Sequence, residues 1–426
     1  MLPSARAVVV GAVIILIMAS AAPGSARVFT IEECVDLALE GNTTLAKARE
    51  SLTGADADVL SSWSGVLPRV SGSVSTGKTT TVAGGGESNS ESASGSVNLS
   101  QTIFDGSTFA SIASARHGRE SANQALRSTR RQIVFSTRQA YYELLKAESL
   151  RDVQAEALEL AREQLRKTES LFELGSSSRS DLLKAQVQVG QSELSLITAQ
   201  RLAETARATL CLAVGIDVTT DLEPVDPEPQ DWQSSLESYD LEEALGRRPD
   251  VMSAEEAVMA ARRSLLSAKA ARWPSLGFSM SYSRSQGSLG DLFEDMGDEY
   301  TRSASLSLSV PIFNGLSTKA SIDRGKSTVR NYELSLRDVR QQASYEIRTA
   351  MLSVREQSER VEVAEKAVEQ AEEDLRVSEE LFRLRAASML ELIDARVAYS
   401  QARVDMVEAR YDHEIARAKL ALALGL

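Results

Sequence analysis

Apolar residues recur along this chain at two different periods. Leu276, Phe278, Met280 and Tyr282 alternate with Gly277, Ser279, Ser281 and Ser283, and Leu306, Leu308, Val310 and Ile312 alternate with Ser305, Ser307, Ser309 and Pro311. A period of two marks strands with one apolar face. Farther on, Ile347, Val354, Val361, Val368, Leu375 and Phe382 recur every seven residues. Ala350, Ala364, Ala371 and Ser378 stand three places after four of them. Large-then-small spacing of this kind is a coiled-coil seam with close backbone approach.

The whole pattern occurs twice. Phe104-Asp105-Gly106 returns as Phe313-Asn314-Gly315, and Leu171-Phe172-Glu173-Leu174 returns 210 residues later as Leu381-Phe382-Arg383-Leu384. The heptad register also carries over, through Thr137, Leu144, Arg151, Leu158, Leu165 and Phe172. The expected order in each repeat is helix, strand, strand, long helix, reversal, helix. In the first repeat (27–220) a helix spans Thr30 to Trp63, opened by a capping box of Thr30 and Glu33 and closed before Pro68. Strands follow at Val70–Lys78 and Ser94–Phe104, separated by a polar loop through Gly84-Gly85-Gly86. A helix from Asp105 to Leu174 would be roughly 100 Å long at 1.5 Å per residue. The chain reverses at Gly175-Ser176-Ser177-Ser178, with Ser180 as N-cap and Asp181 favoured by the positive helix end. The second repeat (236–426) has a helix over Leu241–Trp273, strands Leu276–Arg284 and Ser303–Phe313, a second long helix, and a reversal at Arg385-Ala386-Ala387-Ser388. An acidic, proline-rich linker joins the repeats over 221–235.

Composition narrows the picture. The chain has 426 residues, a net charge of −13 and 5% aromatic residues, which fits long helices better than a large globular core. An acidic balance argues against nucleic acid as a partner. Arg6, the apolar run Ala7–Met18 and the small residues after it read as a cleaved secretory signal (1–26), with Ala19-Ser20-Ala21 or Gly24-Ser25-Ala26 suiting a signal peptidase. Cys34 and Cys211 are the only cysteines, and either a disulfide or two buried thiols is compatible with export. His117 and His413 stand alone, so neither a metal site nor a cofactor is expected. Gly72-Ser73-Val74-Ser75-Thr76-Gly77-Lys78-Thr79 matches the phosphate-loop pattern, but it falls within an expected strand and opens no helix. No catalytic constellation is visible.

The strand residues that alternate with the apolar ones are nearly all Ser, Gly and Thr. That is the pattern of a soluble sheet with one wet face, or of a membrane barrel that is apolar outside and polar inside. Four strands cannot close a barrel, since about eight are needed to fill one. Either the sheet packs on something else or several chains pool their strands. A periplasmic coiled-coil rod or adaptor without membrane strands is the competing reading.

The arrangement closely resembles the TolC family of outer-membrane efflux and secretion channels, over essentially the whole mature chain. The corners Gln101-Thr102-Ile103-Phe104-Asp105-Gly106 and Val310-Pro311-Ile312-Phe313-Asn314-Gly315 carry the likeness. So do the reversal segments Asp181-Leu182-Leu183-Lys184-Ala185 and Glu391-Leu392-Ile393-Asp394-Ala395. The resemblance implies a mainly α chain with a small β part, working as a homotrimer. Its strands would pool into a twelve-stranded barrel in the outer membrane, standing on a helical tunnel in the periplasm. It implies passive export of drugs, small toxic compounds or unfolded polypeptides, with a periplasmic adaptor and an inner-membrane transporter as partners. Helix Thr30–Trp63 would stack end to end on Ser180–Val214. Glu391 and Asp394 match acidic positions that ring the periplasmic aperture, and Asp181 and Ser180 match positions that help hold it shut. Phe382 stands where the family's gating Tyr is expected and Ala387 where its gating Arg is expected. Leu174, Gly175, Leu182, Leu183, Leu384 and Leu390 stand at the tips, where the resemblance implies that residues face the adaptor or pack the tip.

Overall fold

A computed structural model describes residues 27–220, 222–227, 240–294 and 299–426. The signal at 1–26 and the 228–235 part of the linker lie outside the described residues. In chain order the elements are β1 (Arg27–Phe29), α1 (Ile31–Gly41), α2 (Thr43–Trp63), β2 (Arg69–Ala83), β3 (Gly86–Phe104), α3 (Gly106–Glu173) and α4 (Arg179–Val214). They continue with β4 (Leu222–Pro224), α5 (Leu241–Arg247), α6 (Pro249–Ala270), β5 (Ser275–Gln286), α7 (Asp291–Glu294), β6 (Thr301–Ser309), α8 (Ser317–Arg383) and α9 (Met389–Ala423). The expected duplication is there: α1–α2, β2, β3, α3 and α4 are answered by α5–α6, β5, β6, α8 and α9. The two long helices run 68 and 67 residues.

The chain divides into two compact units that cut across the repeats. One gathers the residues up to Gly41, Ser136–Gln230 and Val363–Tyr411. Its core joins Ile31 and Cys34 of α1, Tyr141, Leu144 and Leu145 of α3, Leu210, Cys211 and Val214 of α4, and Tyr411 of α9. Here β1 and β4 form a parallel two-stranded ribbon. The buried Tyr141 hydroxyl lies 2.9 Å from Phe29 O and 2.6 Å from Val225 O, and accepts from Val225 N at 2.8 Å. Cys34 and Cys211 are free buried thiols in this core, and burial raises Cys34 to a pKa of about 11. The end of α1 abuts the end of α4, since a Cβ on Gly41 would sit 3.4 Å from Val214 O.

The other unit gathers Asn42–Phe135, Asp231–Glu362 and Asp412–Leu426. Its core packs Ala244, Leu245 and Val251 against Ala343, Ile347 and Ala350 of α8 and Leu420, Ala423 and Leu424 at the end of α9. Arg248 is buried at the α5–α6 joint. Its guanidinium bonds Asp250 at 2.7 and 3.0 Å and Glu346 at 2.7 Å, and donates to Ala423 O at 3.3 Å. This unit also holds the sheet, ordered β2-β3-β5-β6 and antiparallel throughout.

Several expected boundaries are corrected. The helices expected over Thr30–Trp63 and Leu241–Trp273 are each two helices, broken at the repeat-equivalent Asn42 and Arg248. Asn42 caps α2 by accepting from Thr44 N and Leu45 N, while Pro249 supplies no N–H to α5 and starts α6 instead. The polar loop expected between Lys78 and Ser94 is mostly strand. Its Thr, Ser and Asn residues continue the ladder to a Gly84-Gly85 turn and bond across it, as Thr80 to Asn89 at 2.6 Å. β6 stops at Ser309, short of Phe313, because Pro311 brings no N–H to a ladder.

Gly106 opens α3 directly beneath Trp273, and a Cβ there would lie 2.6 Å from the indole. Gly106→Ala should therefore overpack the corner and cost about 1–3 kcal/mol. Gly54, with nothing within 4 Å of its Cβ position in the middle of α2, is the control. Gly54→Ala should gain about 0.5–1 kcal/mol from helix propensity. Thermal melts of the purified variants in detergent check both, and equal shifts of the two would contradict the packing argument.

Candidate functional site

Register sorts the sheet into two chemically distinct faces. One carries Val70, Val97, Leu99, Leu276, Phe278, Met280, Leu306 and Leu308, all exposed or half-buried within this chain. Tyr282 stacks on Tyr300 with ring centroids 5.5 Å apart, and Arg302 lies 4.6 Å above Tyr300. Tyrosine with arginine at the end of an apolar band is the composition of a membrane–water boundary. The opposite face is a wall of hydroxyls. Ser73 and Ser96 are 2.9 Å apart, Ser75 and Ser94 2.8 Å, Ser279 and Ser305 2.8 Å, and Ser281 and Ser303 2.7 Å. Among the described residues β2 and β6 each pair on one side only, so the sheet ends in two open edges. The phosphate-loop match lies wholly within β2. Its Lys78 Nζ is 2.8 Å from Glu91 Oε1 across the hairpin, and its amides serve the ladder.

The helix reversals belong to the first unit and are built alike. After α3, Gly175 at φ 72° donates to Phe172 O at 2.9 Å, and Ser176 N donates to Leu171 O at 2.7 Å. After α8, Arg385 at φ 60° donates to Phe382 O at 3.0 Å, and Ala386 N donates to Leu381 O at 2.8 Å. Each following helix then opens on a capping box. Asp181 N donates to Ser178 Oγ at 3.1 Å while Ser178 N points back to the Asp181 carboxylate at 3.4 Å. Glu391 N likewise donates to Ser388 Oγ at 3.3 Å, and Ser388 N donates to Glu391 Oε2 at 3.2 Å. The expected N-cap Ser180 is thus corrected to Ser178, two residues earlier, and Ser180 sits exposed inside α4. The sequence holds the signal for both caps, as Ser-x-x-Asp and Ser-x-x-Glu spacing.

Behind the second reversal, α9 is anchored. Met389, Leu392 and Ala395 are buried, Gln164 Nε2 reaches Met389 Sδ at 3.7 Å, and Arg396 bonds Leu160 O at 3.0 Å and Glu379 at 2.7 Å. This leaves Glu391 and Asp394 on the exposed side of the first turns. Glu391 is tied into its cap, whereas Asp394 has no hydrogen-bond or ion-pair partner among the described residues. Leu174 is 78% exposed and Leu384 is 70% exposed at the two turns. Gly175, Leu183 and Leu390 are exposed as well, while Leu182, Phe382 and Ala387 are half-buried. Along α4, Leu183, Val187, Leu194 and Ile197 make an exposed apolar stripe at helical spacing.

The family model for outer membrane efflux proteins matches residues 34–216 and 241–426, one span for each repeat. The chain belongs to that family. Among relatives, the chain is 27% identical over 311 residues to a probable efflux pump outer membrane protein, TtgC, of Pseudomonas putida, covering 72% of this chain. It spans 63% of the length of that relative. It is 23% identical to the outer membrane efflux protein BepC of Brucella suis, covering 88% of this chain and 82% of that protein. The CmeC outer membrane channel of Campylobacter jejuni shares the fold of this chain, with a TM-score of 0.82 at 20% identity, covering 93% of this chain and 85% of that one. Family and structural neighbours are channels rather than enzymes.

Arg385 holds a left-handed backbone that its repeat mate fills with Gly175. Arg385→Gly should stabilise the reversal by about 1 kcal/mol, and Gly175→Arg should destabilise it by about as much. Glu391→Ala should cost on the order of 0.5–1 kcal/mol through the lost cap, with Asp394→Ala close to neutral. Thermal melts rank the four, and a larger loss for Asp394→Ala than for Glu391→Ala would refute the capping assignment.

Proposed function

We propose that this chain is one subunit of a passive export conduit in the outer membrane, closed by pooling the strands of three copies. One observation carries the reading: a four-stranded sheet with an apolar face, a hydroxyl face and two unpaired edges. Unpaired backbone groups are intolerable in a bilayer core, so such a sheet crosses a membrane only as part of a closed barrel. The names of the relatives TtgC and BepC, which speak of efflux, support outward transport. The exposed stripe of Val187, Leu194 and Ile197 suits a seam with another copy. A coiled-coil rod without membrane strands has no use for a sheet of this kind.

In this reading a periplasmic adaptor docks at the tips around Leu174, Gly175, Leu182, Leu183, Leu384 and Leu390, and an inner-membrane transporter drives the cargo. Asp394 and Glu391 ring the periplasmic aperture, beside Asp181, Ser180, Phe382 and Ala387. Repeated around a three-fold axis, their carboxylates favour cations and oppose anions. The two acids differ, because Glu391 is held by Ser388 and Asp394 is free to face a passing ion.

Two measurements test the proposal. Membrane fractionation should place the chain with outer-membrane markers, and release into the soluble periplasm without detergent would sink it. In planar bilayers the wild type should conduct with cation preference, which Asp394→Ala should reduce more than Glu391→Ala. An unchanged reversal potential in both variants would remove these residues from the aperture.

A further inference from the structure

The hydroxyl face of the sheet carries a single ionised side chain. Arg69 begins β2, and register sets it opposite Ser100, which in turn faces Ser279, which faces Ser305. Every other residue on this face of the four strands, among those described, is Ser, Thr, Gly, Asn or Ala. The remaining charges of the sheet, Lys78, Glu87, Glu91, Arg284 and Arg302, all lie on the opposite face. Lys78 is neutralised there by Glu91. Arg69 is exposed and has no hydrogen-bond or ion-pair partner among the described residues. The duplication does not repeat it, since Pro68-Arg69 is answered by Pro274-Ser275.

We propose that Arg69 is a specificity-determining residue that makes the helix-side end of the sheet's hydroxyl face electropositive and draws the anionic groups of passing cargo to it. This rests on the reading above that the hydroxyl face lines the conduit. Neutral hydroxyls orient their dipoles but supply no countercharge, so on this face of the sheet the one fixed charge is this guanidinium. Adjacent strands lie about 4.8 Å apart, which puts Ser100 and Ser279 within about 5 and 10 Å of the Arg69 strand. Both distances fall inside a Debye length of about 10 Å at 0.1 M salt, so the field reaches them before ions screen it. Three copies around one axis would make a cationic ring, the arrangement that admits anions.

A cysteine reporter reads this field locally and independently of any constriction elsewhere. Ser279→Cys would be introduced into the full-length purified oligomer, with Arg69 intact or as Arg69→Ser. The native thiols do not compete, because Cys34 and Cys211 are 1% and 0% exposed. The reporter would then be titrated with two water-soluble methanethiosulfonates, one bearing an ethylsulfonate and one an ethyltrimethylammonium. With Arg69 present the anionic reagent should have the advantage. Arg69→Ser should lower the anion-to-cation rate ratio by about three- to tenfold in roughly 10 mM salt, and the difference should vanish near 1 M salt. Arg69→Lys should keep the ratio. A reactive reporter whose ratio ignores Arg69→Ser overturns the proposal and leaves the conduit standing. If neither reagent labels Ser279→Cys while both label Met280→Cys on the other face, the hydroxyl face is not the wet one, and the conduit reading falls together with this proposal.

Discussion

Two rows of unpaired backbone amides and carbonyls, along the outer sides of β2 and β6, govern the rest of this structure. In water such edges would be tolerable and could be blunted by charge or proline. In a bilayer core each unsatisfied group costs several kcal/mol, so a sheet must close on itself or on copies of itself. About eight strands are needed before a barrel interior can be filled, and this sheet has four. The apolar face strengthens the constraint. Val70, Leu306 and Leu308 are exposed on it, which a soluble protein would bury against a second layer. The short α7 segment returns to that face, where Leu292 packs on Gly95 and its carbonyl accepts from Arg284 at 3.0 Å.

Duplication supplies the lengths, and each unit then fixes a helix joint with its own chemistry. In the first, Tyr141 threads its hydroxyl between Phe29 and Val225, and burial holds the phenol well above its usual pKa. A neutral phenol satisfied by backbone groups suits an apolar core. In the other, Arg248 does the joining with a charge. Burial works against both it and Asp250, yet their mutual hydrogen bonds overcome it, so Arg248 is raised and Asp250 is held below the usual carboxylate range. Removing one partner of such a buried pair leaves an uncompensated ion, which is far costlier than the pair's net contribution.

Most of this architecture is legible in periodicity alone. The period-two runs mark β5 and β6, and the seven-residue repeat with its alanines marks the buried stripe of α8, where Ile347, Ala350 and Ala364 are buried. Where the boundaries depart from the pattern, a local polar group overrides it. The apolar spacing from Thr30 to Trp63 runs on through Asn42, but the Asn42 side chain serves two backbone amides better as a cap than within a helix. The hairpin beyond Lys78 is hidden for the opposite reason. Thr, Ser, Asn and Glu offer no hydrophobic alternation, and only cross-strand bonding reveals them as strand. At the reversals both caps are written as Ser-x-x-acid spacing, while the left-handed Arg385 has no marker other than its alignment with Gly175.

The reversals also show how a duplicated backbone is given unequal chemistry. Both turns use the same hydrogen bonds and the same Ser-to-acid capping box, so the first turns of α4 and α9 begin with one carboxylate each already committed to the backbone. Three residues on, the copies part: Lys184 stands in α4 where Asp394 stands in α9. An acid in the first turns of a helix is favoured by the positive end of the dipole, and a lysine there is not. The helix itself therefore gives no reason for the lysine, and the cap gives none for the aspartate, since Glu391 has already filled that role. What the two side chains share is exposure without a partner among the described residues, the condition in which a charge acts on whatever passes or binds outside it.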